Sequence, residues 1–372
     1  MKQILPILCL LLAVSACGPA TTPAPTLTAT PPPPTETPSP LPPTATPEPS
    51  LTPTATLEPL PQLQVITSDN AAKVSLLRTL EIPEFRAAAV SQCSVEFSPD
   101  GSLLSGMCDN STTPVWEMRS GSLLHTLLPT ASHEVAVSFS PGGDVLAIGG
   151  FTDEIRFFNP STGESLGTFA TLPSQVWELD FNLSGDQLVS ASFLTGLYVW
   201  DVTNGQQLWS YGDQDGLRVL SVDYSPGGET LAVGLAIGGV MVIDVASGET
   251  VNLPLAAPVG DVAFSPDGQW LAAGSDDNKI RLWGTADYSL GPTLQGHTHY
   301  VNGVAFSPDG SLLVSGSHDR RVGLWDLRDG QLIKFLEGHE YMVLRVTVNP
   351  AGTLIASISW DGTVRLWGVP EG

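Results

Sequence analysis

GHTHYVNGVAFSPDGSLLVSGSHDRRVGLWD, from Gly296 to Asp326, contains one complete copy of a unit that recurs along this chain. Its centre is an apolar residue, a variable one and then Phe306-Ser307-Pro308-Asp309-Gly310. The aromatic of that turn has counterparts at Phe97, Phe139, Phe181, Tyr224, Phe264 and Val348, spaced 42, 42, 43, 40, 42 and 42 residues apart in chain order. Nineteen residues after each stands Trp116, Phe158, Trp200, Ile243, Trp283, Trp325 or Trp367, so the whole unit repeats and not only its turn. Within a unit, apolar residues alternate before the turn (Val304, Phe306), and two further runs follow, the last ending in an aromatic. Period-two alternation punctuated by Gly-rich turns is the signal of half-buried antiparallel strands.

A period of roughly 40–45 residues ending in Trp-Asp corresponds to one four-stranded propeller blade. The chain resembles the WD-repeat family, most plainly in Gly296–Asp326 and in GHEYMVLRVTVNPAGTLIASISWDGTVRLWG, Gly338–Gly368. The resemblance covers about 300 residues. It implies an all-β fold, a seven-bladed β-propeller of four-stranded antiparallel blades spanning residues 65–372. One such sheet cannot bury both of its faces, whereas seven packed radially do.

The seventh unit carries only three strands of its own. Val74–Ile82 (VSLLRTLEI) matches Gln331–Gly338 (QLIKFLEG), the segment after the third strand of blade six, so an N-terminal strand is expected to complete the last blade and cover its edge. The family braces its blades with a hydrogen-bonded set of His, Ser or Thr, Asp and Trp. By resemblance, blade six supplies His297, Ser315, Asp319 and Trp325, and blade seven His339, Ser357, Asp361 and Trp367. Blade five keeps Asp277 and Trp283 but has Leu255 in place of the histidine, and blades one to four do not complete the set.

The front of the chain is of another kind. MKQILPILCLLLAVSAC has a basic start, a short apolar run and small residues before Cys17, the composition of an export signal over 1–16. Val14-Ser15-Ala16-Cys17 resembles a bacterial lipobox, which implies a lipidated Cys17, palmitate among the acyl groups, and an extracytoplasmic lipoprotein whose only membrane contact is its anchor. An ordinary secretory signal or an uncleaved anchor is the alternative. Residues 17–64 are rich in Pro, Thr and Ala and are expected to form a disordered linker, reaching on the order of 100 Å if extended. Its Thr-Pro repeats are either a plain spacer or a carrier of O-linked sugar.

Net charge is −23, with 15 Lys and Arg against 38 Asp and Glu. Phosphate binding needs clustered cations, so nucleic acid is excluded as an expected partner. Asp213-Gln214-Asp215-Gly216 lacks most ligands of a calcium loop and reads as a turn. His297-x-His299 is not expected to hold a metal, because the brace claims His297, and no cofactor is expected. Cys93 and Cys108, on the first two strands of blade one, are a candidate disulfide, two buried thiols being the alternative. No nucleophile elbow, metalloprotease helix or phosphate loop is present, and no catalytic residue is assigned.

In the family, two positions per blade crown the narrower face around the channel. One holds Asp109, Phe151, Phe193, Ala236, Asp276, His318 and Trp360; the other includes His133, Trp177, Arg218, Tyr300 and Met342. Exposed aromatics bury much area at little entropic cost and mark recognition sites. The expectation is a monomeric scaffold that binds a protein or peptide of the cell envelope or beyond. Phe151, Phe193 and Trp360 would anchor it, with Trp177, Tyr300, His318 and Arg218 assisting. A carbohydrate or small-molecule receptor is the alternative, and a hydrolase or lyase using loop carboxylates a further one.

Overall fold

The computed structural model describes residues 58–83, 85, 92–108, 112–127, 134–192, 194–212 and 217–371. The expected signal segment, Cys17, the expected linker up to residue 57, Asp109, His133, Phe193 and Asp213–Gly216 lie outside the described residues. Within them are seven antiparallel sheets, six of four strands, each built from consecutive strands of one unit. Blade one, for example, runs Cys93–Phe97, Leu103–Cys108, Thr113–Glu117 and Ser122–Leu127, and blade six Val301–Phe306, Leu312–Ser317, Val322–Asp326 and Gln331–Leu336. The single described helical element is the 3-10 turn Ala71–Lys73.

The recurring turn explains its own sequence. Gly310 sits at φ 68°, and its counterparts Gly101, Gly143, Gly185, Gly228, Gly268 and Gly352 lie between 67° and 76°, left-handed backbone that favours glycine. The serine closes the loop: Leu312 N–H donates to Ser307 Oγ (3.0 Å), and Ser307 Oγ–H donates to Asp309 (2.6 Å). The aromatic before the serine and the residue nineteen positions later are buried in nearly every unit, Phe306 at 8% and Trp325 at 1% exposure. Apolar clusters join neighbouring blades: Leu282 and Ile280 of blade five pack with Val304, Phe306 and Trp325 of blade six. Burying each such side chain stabilises the ring by roughly 1.5–3 kcal/mol.

Blade seven closes as the repeat match implies. Its inner strands are Val343–Val348, Leu354–Ser359 and Thr363–Pro370, and the closing strand Ser75–Glu81 pairs antiparallel with the last of these. Thr79 lies opposite Arg365, and Leu80 opposite Val364. The expected linker, however, is too long at its C-terminal end. Leu63–Gln64 form a further short strand against Val369 and Pro370, and Leu60 and Leu63 pack on the core shared by blades seven and one. These two leucines are apolar side chains within a Pro/Thr-rich stretch, which is why this end docks.

Both complete braces form. In blade six, Trp325 Nε1–H donates to Ser315 Oγ (2.8 Å), Ser315 faces His297 Nε2 (2.8 Å), and His297 Nδ1 meets Asp319 (2.8 Å). Blade seven repeats these distances with Trp367, Ser357, His339 and Asp361. Blade three retains one link, Trp200 Nε1–H to Ser190 Oγ (2.8 Å). In blade five, Asp277 pairs instead with Arg281 (2.5 Å).

Candidate functional site

Alternating strand direction puts the first and third turns of every blade on one face, the wide one. The second turns and the crossings between blades fall on the other, narrow face. Three of the second-turn residues expected there meet an aromatic on a crossing between blades. The Phe151 ring lies 6.3 Å from Trp177 at the entry to blade three. Tyr300 lies 5.4 Å from His318 in blade six, and Trp360 lies 6.0 Å from Tyr341 in blade seven. The backbone sets these pairs: His318 N–H donates to Tyr300 O (2.9 Å), and Trp360 N–H to Met342 O (3.0 Å).

Exposure is concentrated on the crossing residues, Tyr300 at 40% and Tyr341 at 53%, while Phe151, Trp177, His318 and Trp360 are half-buried beneath. His299, which stacks on His318 at 5.4 Å, completes a three-ring cluster in blade six. Burial, with the charge of His299 second, pushes the His318 imidazole down to about 4, so it is neutral near pH 7. Its Nε2 and the Trp360 indole nitrogen are buried and carry no hydrogen bond. Asp276, on the corresponding turn of blade five, is raised by burial and opposed by His299. Arg218 is exposed at the entry to blade four, its carbonyl accepting Ala236 N–H (2.9 Å). The face therefore presents its aromatics as pairs on separate blades rather than one anchor cluster. Sequence reasoning missed Tyr341 and His299, one position beside the residues it selected, and the exposed Leu194 and Ile237.

The residues that line the channel were missed altogether. Its wall carries Glu96, Asp180 and Asp223, each one position before a turn aromatic, with Glu178, Asp261 and Arg345 three positions before. Strand alternation turns both positions inward. The carboxylates hook one blade to the next: Asp180 accepts Tyr224 N–H (2.8 Å), Asp223 accepts Phe264 N–H (2.6 Å), and Asp261 accepts Val304 N–H (2.9 Å). Burial pushes Glu178 and Asp180 up to about 7, Arg345 opposing the shift at Glu178. Glu96 and Asp223 are raised by burial and then by the charge of Asp180. The cavity these residues line is about 260 Å³.

Cys93 and Cys108 are direct register partners, with α-carbons 4.1 Å apart and their sulfurs joined as a disulfide. His297 is held in its brace, and His299 Nδ1 accepts Tyr300 N–H (2.9 Å). Among the described residues, no group of three or more His, Cys, Asp or Glu side chains is arranged to hold a metal ion.

A family model described as the WD domain, G-beta repeat, matches residues 253–284, 289–326 and 330–368, the last two each spanning the outer strand of one blade and the first three strands of the next. The chain carries WD repeats within a seven-bladed β-propeller. A second model, the anaphase-promoting complex subunit 4 WD40 domain, matches residues 198–258 of the propeller. Among curated relatives, it is 26% identical over 212 residues to the 77 kDa echinoderm microtubule-associated protein of Lytechinus variegatus, covering 54% of this chain and 31% of that one. It is 27% identical over 208 residues to echinoderm microtubule-associated protein-like 2 of Homo sapiens, covering 54% and 32%. With WD repeat-containing protein SL1-17 of Schistosoma mansoni the identity is 28% over 192 residues, covering 50% and 63%. The match spans about a third of the length of the two microtubule-associated relatives.

Proposed function

We propose that this WD-repeat propeller is a monomeric, non-catalytic scaffold that docks a protein or peptide on its narrow face, tethered outside the cytoplasm by a lipidated Cys17. WD-repeat propellers generally bind protein partners. The observation that carries the docking reading is the set of paired aromatics, Phe151 with Trp177, Tyr300 with His318 and Tyr341 with Trp360, capped by the exposed tyrosines. Aromatic anchors over a supporting ring are the composition of interface hot spots. Microtubule association belongs to the relatives whose names carry it, and the region shared with them is too small a part of those proteins to bring it here.

The extracytoplasmic reading is supported by Val14-Ser15-Ala16-Cys17 and by the disulfide Cys93–Cys108, a bond that persists in oxidising compartments. The partner would accordingly belong to the cell envelope or the space beyond it. Two measurements test the proposal. Alkynyl-palmitate should label the wild-type chain in a bacterial host and leave Cys17→Ser unlabelled; equal labelling would refute the anchor. Partner binding should fall at least tenfold in Tyr300→Ala/Tyr341→Ala/Trp360→Ala with the circular dichroism of the fold retained. Unchanged binding would move the interface elsewhere.

A further inference from the structure

The N-terminal strap crosses the seam of the ring on the wide face. Leu60 N–H donates to Arg119 O of blade one (3.3 Å), and Leu63–Gln64 pair with the end of blade seven. Ile66 N–H donates to Gly352 O in the first turn of blade seven (2.7 Å). The chain then reaches blade six: Asp69 pairs with Arg328 (3.1 Å), and Lys334 Nζ donates to the carbonyls of Ala72 (3.3 Å) and Val74 (2.9 Å). Beyond Val74 it turns along the sheet as the closing strand, running from the wide face at Ser75 toward the narrow face at Glu81.

We infer that this segment is a two-stage tension joint: residues 58–74 peel at low load, whereas the closing strand Ser75–Glu81 is held in shear and keeps the ring shut to a much higher load. The difference is geometric. A pull from upstream of Glu58, with the counter-load at the narrow face, meets the strap crosswise. Its contacts to blades one, seven and six are then loaded one after another, the first of them single hydrogen bonds and a two-residue pairing. The exposed Asp69–Arg328 pair adds little. Once the strap is free, the same pull acts along the closing strand. All its register partners from Thr363 to Gly368 share that load, with Leu80 buried at 4% exposure. Tension would thus lengthen the leash before it opens the propeller. The physiological load rests on the anchored reading proposed above, but the order of release does not, and palmitate labelling tests the anchor separately.

The test is single-molecule force spectroscopy on the full chain, with one handle at the N-terminus and a ligation handle at Arg320, exposed on a narrow-face turn of blade six. The expected record is a low-force step releasing residues 58–74, about 60 Å at ~3.3–3.6 Å per residue, then a distinct rupture at higher force. Ile66→Ala with Lys334→Ala should lower only the first step, and Leu80→Ala only the second. A single event releasing strap and strand together, about 80 Å by the same rise, would overturn the inference. So would rupture of the ring ahead of the strap.

Discussion

Arg345 on the inner strand of blade seven donates from Nη2 to Oε2 of Glu178 on the inner strand of blade three, 2.8 Å across the channel. It also donates to the Asn302 carbonyl in blade six (2.7 Å) and lies 3.9 Å from Asp261 of blade five. One guanidinium thus joins four blades and is the cation among the described residues lining a channel with five carboxylates. The ring is held apolar between blades and ionic at its axis.

Removing that cation exposes the imbalance. Arg345→Met should destabilise the propeller by about 3–5 kcal/mol near neutral pH, the usual result of leaving buried charge unpaired. The loss should shrink at pH 5, where the carboxylates take up protons instead. Urea denaturation at both pH values checks this, and Arg345→Met/Glu178→Met should recover part of the loss. Equal destabilisation at the two pH values would mean that packing, not charge, is what Arg345 supplies.

The pH profile of stability follows from two opposing sets of carboxylates. Glu178 and Asp180 are raised by burial to about 7 from ordinary values of 4.5 and 3.8. The folded state therefore holds their protons more tightly than the unfolded chain. Their contribution is fully present below pH 4 and lost as pH rises through about 7. Asp319 and Asp361 behave oppositely: burial raises them, but hydrogen bonds from His297 and Arg321, and from His339 and Thr363, hold both well below the usual range. Their contribution is present above 3.8 and lost as pH falls through the folded values. Stability should peak near pH 4 and decline from about pH 4.5 to 7, levelling off above. A urea midpoint that rises over that interval would contradict the assignment.

The braces should differ in weight. Ser315→Ala strands both Trp325 Nε1–H and His297 Nε2, each orphan costing roughly 1–3 kcal/mol. Ser190→Ala strands Trp200 alone and should cost about half as much. Thermal or chemical denaturation of the two variants compares them directly.

Closure should depend on the first described residues. Deleting residues 58–82 uncovers Thr363–Pro370 and should abolish the cooperative unfolding transition, and Leu80→Ala should cost about 2–5 kcal/mol. A cooperative, native-like transition in the deletion would show that six complete blades hold the seventh open.

The turn motif and the buried aromatic nineteen residues later made the blades readable, because a turn needing Gly at positive φ and a strand ending in a core Trp leave compositional marks. The closing strand was legible through its match to Gln331–Gly338. The strap at Leu60–Gln64 was not, since two leucines are a faint signal inside a Pro/Thr tract. On the narrow face, position counting found Phe151, Tyr300, His318 and Trp360 but not their partners Tyr341 and His299, whose placement depends on crossings of variable length. The channel acids were hidden by abundance: among 38 acidic residues, Glu96, Asp180 and Asp223 stand out only when repeats are aligned at the position before the turn aromatic.

The most direct test of the narrow-face reading is site-specific photo-crosslinking in the producing cell, with a benzophenone side chain placed at Tyr341 on the narrow face or at Leu183 on the wide face. Both positions are exposed, at 53% and 72%. A discrete adduct at 341, absent at 183 and lost when Trp360→Ala and Tyr300→Ala are added, is the predicted result. An adduct at 183 with none at 341 would place the partner on the wide face and contradict the account.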